Sequence, residues 1–198
     1  MSGAPVRPGR GDALILVDVQ LDFLPGGSLA VPHGDEVVPE LNRYIAVFRG
    51  LTLPVVATRD WHPPDHCSFV AAGGPWPPHC IAGSNGARFA PLLDLPCEAR
   101  IVSKATTREK DAYSGFEGTD LDDWLKRAGV TRVFVGGLAT DYCVLNTVRD
   151  ALKLGYATLL LEDAVRAVDV QAGDGERAIA EMRGLGAIPV DFGMLTET

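Results

Sequence analysis

The chain has 198 residues, 46% of them hydrophobic and 22% charged, the balance of a soluble domain that buries about two-thirds or more of its unfolded surface. Its 26 acidic residues outweigh 18 Lys and Arg, giving a net charge of −8; this argues against a nucleic-acid partner, which needs a basic face to meet phosphates. No apolar run approaches the roughly 20 residues of a bilayer span, so no membrane partner is expected either.

Residues 1–12 (MSGAPVRPGRGD) are small, polar and broken by two prolines, which predicts a flexible tail without the apolar stretch of a secretory signal. Residues 13–198 are expected to form a single domain. The first element, ALILVDV over 13–19, is a continuous apolar run ending in an acid, the pattern of a strand buried on both faces of a parallel sheet. A helix is predicted over 35–49, where Val38, Leu41, Ile45 and Phe48 share one face and Gly50 follows. Pro54–Thr58 is a second strand, again leading to an acid, Asp60. Residues 61–97 show no period and are rich in Pro, Gly and His; a loop that long inside a domain is functional or disordered.

Regular alternation resumes at Ala99. ARIVSK is a strand, and DLDDWLKRAG a helix opened by an acid and closed by Gly129. VTRVFVGG is a strand, 141–154 an amphipathic helix, ATLLLED a strand, GDGERAIAEMRGLG a helix and AIPVDF a sixth strand. Strand then helix, repeated, implies an α/β fold: a six-stranded parallel sheet covered by helices on both faces, a three-layer αβα sandwich. In such sheets ligands bind beyond the carboxyl ends of the strands. Asp18, Asp60, Lys104 and the segment carrying Cys143 all fall at or just after such ends.

The four cysteines (Cys67, Cys80, Cys97 and Cys143) form no CxxC pair, which favours reduced thiols and a cytoplasmic setting over a disulfide framework. A free cysteine is ordinarily a buried small hydrophobe; position singles out Cys143. It opens a helix after a strand, where free N–H groups and the local dipole favour a thiolate. A carboxylate at the end of an apolar strand, as at Asp18, is costly unless exposed or partnered. It is either a turn cap or a base for the thiol. Lys104 is either a solvated strand-end lysine or a cation that lowers the thiol pKa and keeps the carboxylate ionised.

The segment RDWHPPDHCSF carries Asp60, His62 and His66, and WPPHC adds His79. Asp60 and His62, two apart in extended chain, point to one side. A carboxylate with imidazoles suits one divalent ion, with zinc, iron and manganese all open. His33 stands apart in sequence. Phe23, Trp76 and Tyr113, on loops at the same sheet edge, are candidates to wall a flat substrate, with core packing as the alternative for each.

Together these segments resemble the nicotinamidase branch of the isochorismatase-like hydrolases. LILVDVQLDFLPGGSLAV, TRDWHPPDHCSF, WPPHCIAGSNGARF, AYSGFEG and VGGLATDYCVLNTVRDA carry the resemblance, in order along nearly the whole chain. It implies a catalytic triad of Asp18, Lys104 and Cys143, a metal held by Asp60, His62 and His79, and His66 as a further ligand candidate. Phe23 and Trp76 match ring-stacking positions, with Tyr113 lining the pocket. A cis peptide between Leu138 and Ala139 would aim the N–H groups of Ala139 and Cys143 at a substrate oxygen. The implied activity is deamidation of nicotinamide through a cysteine thioester, with zinc foremost among the metals and the metal on the pyridine nitrogen. Another small amide as substrate, or an idle metal-binding protein on this fold, are the competing readings. A homo-oligomer is compatible with all of them.

Overall fold

β1 (Asp12–Val17) is buried along its whole length, and its alternating residues explain why. Leu14 and Leu16 face one apolar cluster, while Ala13, Ile15 and Val17 face a second on the opposite side. In a strand successive side chains point to opposite faces, so a strand covered on both sides must be apolar at every position. In this computed structural model, which describes residues 5–196, β1 lies inside a six-stranded, all-parallel sheet. The other strands are β2 (Val55–Asp60), β3 (Arg100–Lys104), β4 (Arg132–Leu138), β5 (Ala157–Arg166) and β6 (Ile188–Val190). Their order is β3-β2-β1-β4-β5-β6.

The helices divide between the two faces. α1 (Val37–Gly50) packs Leu41, Tyr44, Ile45 and Phe48 against one side of the sheet. α2 (Leu121–Arg127), α3 (Leu145–Lys153) and α4 (Asp174–Gly184) cover the other, burying Leu121, Leu125, Val148 and Met182. This is the expected three-layer sandwich. No helix among the described residues is long and apolar enough to cross a membrane.

The strand order reverses direction between β1 and β4, the crevice where open α/β sheets bind ligands. Close approach there requires Gly137, whose φ is +122°; a Cβ on it would lie 2.2 Å from the Val17 carbonyl oxygen.

Element ends shift by one or two residues in several places, and three differences are larger. The predicted helix over 141–154 is α-helical only from Leu145; Thr140–Val144 forms a wider π-type turn. β5 continues to Arg166, carried past a register shift against β4 between Val135 and Gly137. Of the tail expected over 1–12, residues 1–4 lie outside the described residues. Val6, however, pairs with the C-terminal segment, donating to Met194 O (2.9 Å) and accepting from Thr196 N–H (3.0 Å). The long loop that leaves β2 at Asp60 and enters β3 at Arg100 is tied down by the His62–Ile81 and Phe69–Trp76 bridges.

Candidate active site

Asp60 and Lys104 are register partners on adjacent parallel strands, so their side chains leave the sheet on the same face. Asp18 follows the last residue of β1 with φ +48°, a left-handed conformation that Asp tolerates better than most residues. Thr58, two residues before Asp60 on β2, supports that turn. The Asp18 N–H donates to Thr58 Oγ1 (3.3 Å), and the Thr58 hydroxyl donates to Asp18 Oδ1 (2.7 Å). Asp18 Oδ2 is left facing the Lys104 ammonium at 2.9 Å.

Lys104 is 1% exposed. Its Nζ also contacts Asp60 Oδ1, the Ala112 carbonyl (3.1 Å) and Cys143 Sγ (3.4 Å). The structure thus brings Asp18, Lys104 and Cys143 together, with Asp60 joined to them through the lysine. Burial alone would lower the Lys104 pKa, but Asp18, Asp60 and Cys143 reverse this and hold it well above the ordinary lysine value. It is therefore an ammonium. Burial raises the Asp18 pKa against the opposing pull of Lys104. For Asp60 burial acts in the same direction, yet Lys104 and His62 outweigh it and keep the carboxyl ionised.

The electrostatics of Cys143 depart from the sequence expectation of a stabilised thiolate. The residue is 5% exposed, and burial pushes its thiol well above the usual value. Lys104 lowers it, but Asp18 and Asp60 act with burial. The resting sulfur is a thiol next to a carboxylate, and that pair must exchange a proton for the sulfur to attack.

Asp60, His62 and His79 converge beside this group, each offering a ligand atom within 4.8 Å of the others. His62 Nδ1 lies 3.3 Å from the Ala105 carbonyl and His79 Nδ1 2.8 Å from the Pro77 carbonyl. Each Nδ1 donates its proton there, which leaves Nε2 as the ring atom available to a metal. His62 Nε2 is buried without a hydrogen-bond partner and lies 3.7 Å from Asp60 Oδ2. An orphaned buried imidazole nitrogen facing a carboxylate is costly by itself, and this donor set fits a divalent ion.

His66 does not join them. Its Nδ1 pairs with the Ser68 hydroxyl at 2.7 Å, and its Nε2 faces the Lys110 carbonyl at 3.2 Å. Its ring lies against His62 (4.2 Å between centroids) and supports that ring rather than offering a ligand atom. The tight turn after Pro63, closed by the His66 N–H to the Pro63 carbonyl (3.1 Å), sets this direction.

Above Asp18, Lys104 and Cys143 lies a pocket lined by Phe23, Trp76, Tyr113, Ala139 and Cys143 as well as the three metal-ligand candidates. Trp76 Nε1–H donates to Tyr113 Oη (3.0 Å), so the two rings form one wall. The peptide between Leu138 and Ala139 is cis, where the resemblance placed it. The Ala139 carbonyl accepts the N–H groups of Tyr142 and Val144, both at 3.1 Å, which flank that of Cys143.

Sequence reasoning missed Tyr142, whose ring packs edge-on against Trp76 (5.1 Å) and lines the cavity. Its place next to Cys143 was the available signal. Thr58 was missed too, although alternation along β2 puts it on the same face as Asp60.

The Isochorismatase domain family matches residues 12–192. A nicotinamidase of Escherichia coli (strain K12) is 40% identical, over 88% of this chain and 92% of its own length. The crystal structure of pyrazinamidase of Pyrococcus horikoshii in complex with zinc aligns with a TM-score of 0.89 at 51% identity, covering 92% of this chain and 99% of that one. PnC1 from L. infantum, in complex with nicotinate, aligns with a TM-score of 0.90 at 38% identity, covering 98% of each chain. The chain belongs to the isochorismatase-domain family.

Proposed function

We propose that this chain is an amidohydrolase that converts nicotinamide to nicotinate and ammonia, with Cys143 as nucleophile, Asp18 as proton carrier and Lys104 as their fixed counter-charge. The observation that carries the reading is the Lys104 ammonium, which touches Asp18, Asp60 and Cys143 at the base of an aromatic-walled cavity. Identity to the Escherichia coli nicotinamidase and likeness to the nicotinate-bound protein from L. infantum support the substrate.

Asp60, His62 and His79 would hold one divalent ion, which supplies a Lewis-acidic anchor for the pyridine nitrogen of the ring. We assign zinc, on the donor set and on the zinc complex of the Pyrococcus relative. Phe23, Trp76 and Tyr113 clamp the flat ring, and so place the carboxamide over Cys143 before reaction begins.

Asp18, its basicity raised by burial, takes the thiol proton as sulfur bonds to the amide carbon and the carbonyl electrons move to oxygen. The N–H groups of Ala139 and Cys143 are the donors we assign to that oxyanion. When the C–N bond breaks, Asp18 returns the proton to nitrogen, ammonia departs and a thioester remains on Cys143. Water then attacks the thioester carbon and gives a proton to Asp18. The C–S bond breaks, the proton goes back to sulfur, and the released acid ionises to nicotinate. Lys104 remains an ammonium throughout and balances the charge that passes between Asp18 and Cys143.

The test is ammonia release from nicotinamide by the purified chain and by Cys143→Ala, beside a panel of other small amides. The variant should bind nicotinamide without turning it over. Turnover by Cys143→Ala would overturn the nucleophile, and preference for another amide would overturn the substrate.

A further inference from the structure

The main-chain pairing of β1 with β2 ends at Leu16 and Ala57, because the backbone swings away at Asp18. Asp60 therefore has a strand partner only on the β3 side. On the open side its peptide groups meet a side chain. Gln20 Oε1 accepts the Asp60 N–H at 2.8 Å, and Gln20 Nε2 donates to the Asp60 carbonyl at 2.9 Å. A carboxamide carries one acceptor and a donor in the same relation as a peptide group, so Gln20 extends the sheet by one residue. Its second Nε2–H reaches the Ala87 carbonyl (3.0 Å) in the loop that follows His79. Gln20 is fully buried.

Two residues farther on, Asp22 does the same for the other side of the metal-ligand group. Its Oδ2 accepts the Cys80 N–H at 2.7 Å. Cys80 directly follows His79 and has φ +46°, while its carbonyl accepts the His62 N–H at 3.0 Å. One carboxylate thus fixes the turn that carries His79 and meets His62. The loop packs directly onto it: a Cβ on Gly86 would lie 2.1 Å from Asp22 Oδ2. Neither Gln20 nor Asp22 lines the cavity.

We infer that Gln20 and Asp22 are positioning residues that pre-set the Asp60, His62 and His79 donors for the ion, Gln20 through the Asp60 backbone and Asp22 through Cys80. This inference rests on the metal role proposed above. Groups that orient ligands from behind commonly contribute about 10- to 100-fold to metal affinity.

The chain, stripped of metal by a chelator and dialysed, is titrated with zinc against a chromogenic chelator. Gln20→Met keeps length and loses all three hydrogen bonds; Asp22→Ala loses the Cys80 contact. Each should weaken zinc binding by about 10- to 100-fold. Asp22→Asn keeps an oxygen for the Cys80 N–H and should bind zinc as the parent does. Tyr44→Phe, which removes a 2.9 Å hydrogen bond to Asp163 beneath α1, is the control: it should lower thermal stability and leave zinc affinity unchanged. Parental affinity in Gln20→Met and Asp22→Ala would overturn the inference. So would equal weakening in Tyr44→Phe, which would mean general loosening, or in Asp22→Asn, which would mean charge rather than placement. Should Gln20→Met fail to fold, the Asp22 pair decides. A parent chain that binds no zinc would overturn the metal reading itself, and the inference with it.

Discussion

Replacing Lys104 by Met tests whether the ammonium is the counter-charge of the whole site. The lysine is 1% exposed, and Asp18 and Asp60 are 0% and 5% exposed; their contacts with Nζ are direct. Methionine fills most of the volume but leaves two buried carboxylates uncompensated. Removing one partner of a buried ion pair costs about 3–5 kcal/mol, and a domain of this length loses about 2–4 °C of Tm per kcal/mol, so a fall of about 6–20 °C is expected. The melt is run with a chelator present, so that no ion offsets Asp60. The pH dependence has a defined sign. An acid with a raised folded pKa, as Asp18 has, weakens the fold above that pKa and ceases to do so as pH falls through it. Without Lys104 its pKa rises further, and relief begins at higher pH. Asp60 in the parent is shifted down from 3.8, so its contribution is present above that value and is lost only in stronger acid. The Tm deficit of the variant should therefore shrink from about pH 8 to about pH 5. A deficit under about 1 kcal/mol, the range of exposed pairs, or one that grows toward acid, would refute the reasoning.

His79→Ala should lose zinc and raise KM for nicotinamide much more than it lowers kcat at saturating substrate; metal analysis and steady-state ammonia release check it, and full zinc occupancy would remove His79 from the ligand set. Because burial raises the Cys143 thiol well above 9.0, its alkylation by iodoacetamide should keep accelerating with pH beyond that value, and Lys104→Met should displace the profile upward. A plateau near neutrality would show a resting thiolate instead. Gly137→Ala must place a Cβ 2.2 Å from Val17 O, whereas Gly129→Ala meets only its own φ of +71° with open space around it. Both lose stability, the second by about 1 kcal/mol, and urea melts should show the first losing considerably more.

The strand ends were legible because buried parallel strands are continuous apolar runs, and the chemistry sits where each run stops. That is why Asp18, Asp60, Lys104 and Cys143 could be named before their distances were known. The loop between β2 and β3 has no such periodicity. His62, His66 and His79 looked equivalent in composition, and only the turn after Pro63 shows that His66 spends both ring nitrogens on Ser68 and Lys110. The thiol was misjudged for a related reason. Proximity of Lys104 and Asp18 to Cys143 could be inferred, but the depth of burial and the added charge of Asp60 could not. Gln20 is invisible to pattern reading, since its role is to replace strand pairing that exists only once β1 has turned away.

In the proposed site, Asp60 is the residue in which bond breaking and ring holding meet. Its Oδ1 faces Lys104 and its Oδ2 faces His62; the register of β2 against β3 dictates the first contact and the extended chain from Asp60 to His62 the second. Loss of metal and change in nucleophile should therefore separate according to which ligand is altered. His79→Ala removes a ligand that touches neither Lys104 nor Cys143, so in chelator the alkylation profile of Cys143 should match that of the metal-stripped parent. Asp60→Asn removes the metal and also an anion that raises the Cys143 pKa, while freeing Lys104 to act on the sulfur. Its alkylation profile, measured in chelator beside that of His79→Ala, should shift to lower pH. If the two variants lose metal and share one unshifted profile, Asp60 is a ligand alone, and its contact with Lys104 has no part in setting the nucleophile.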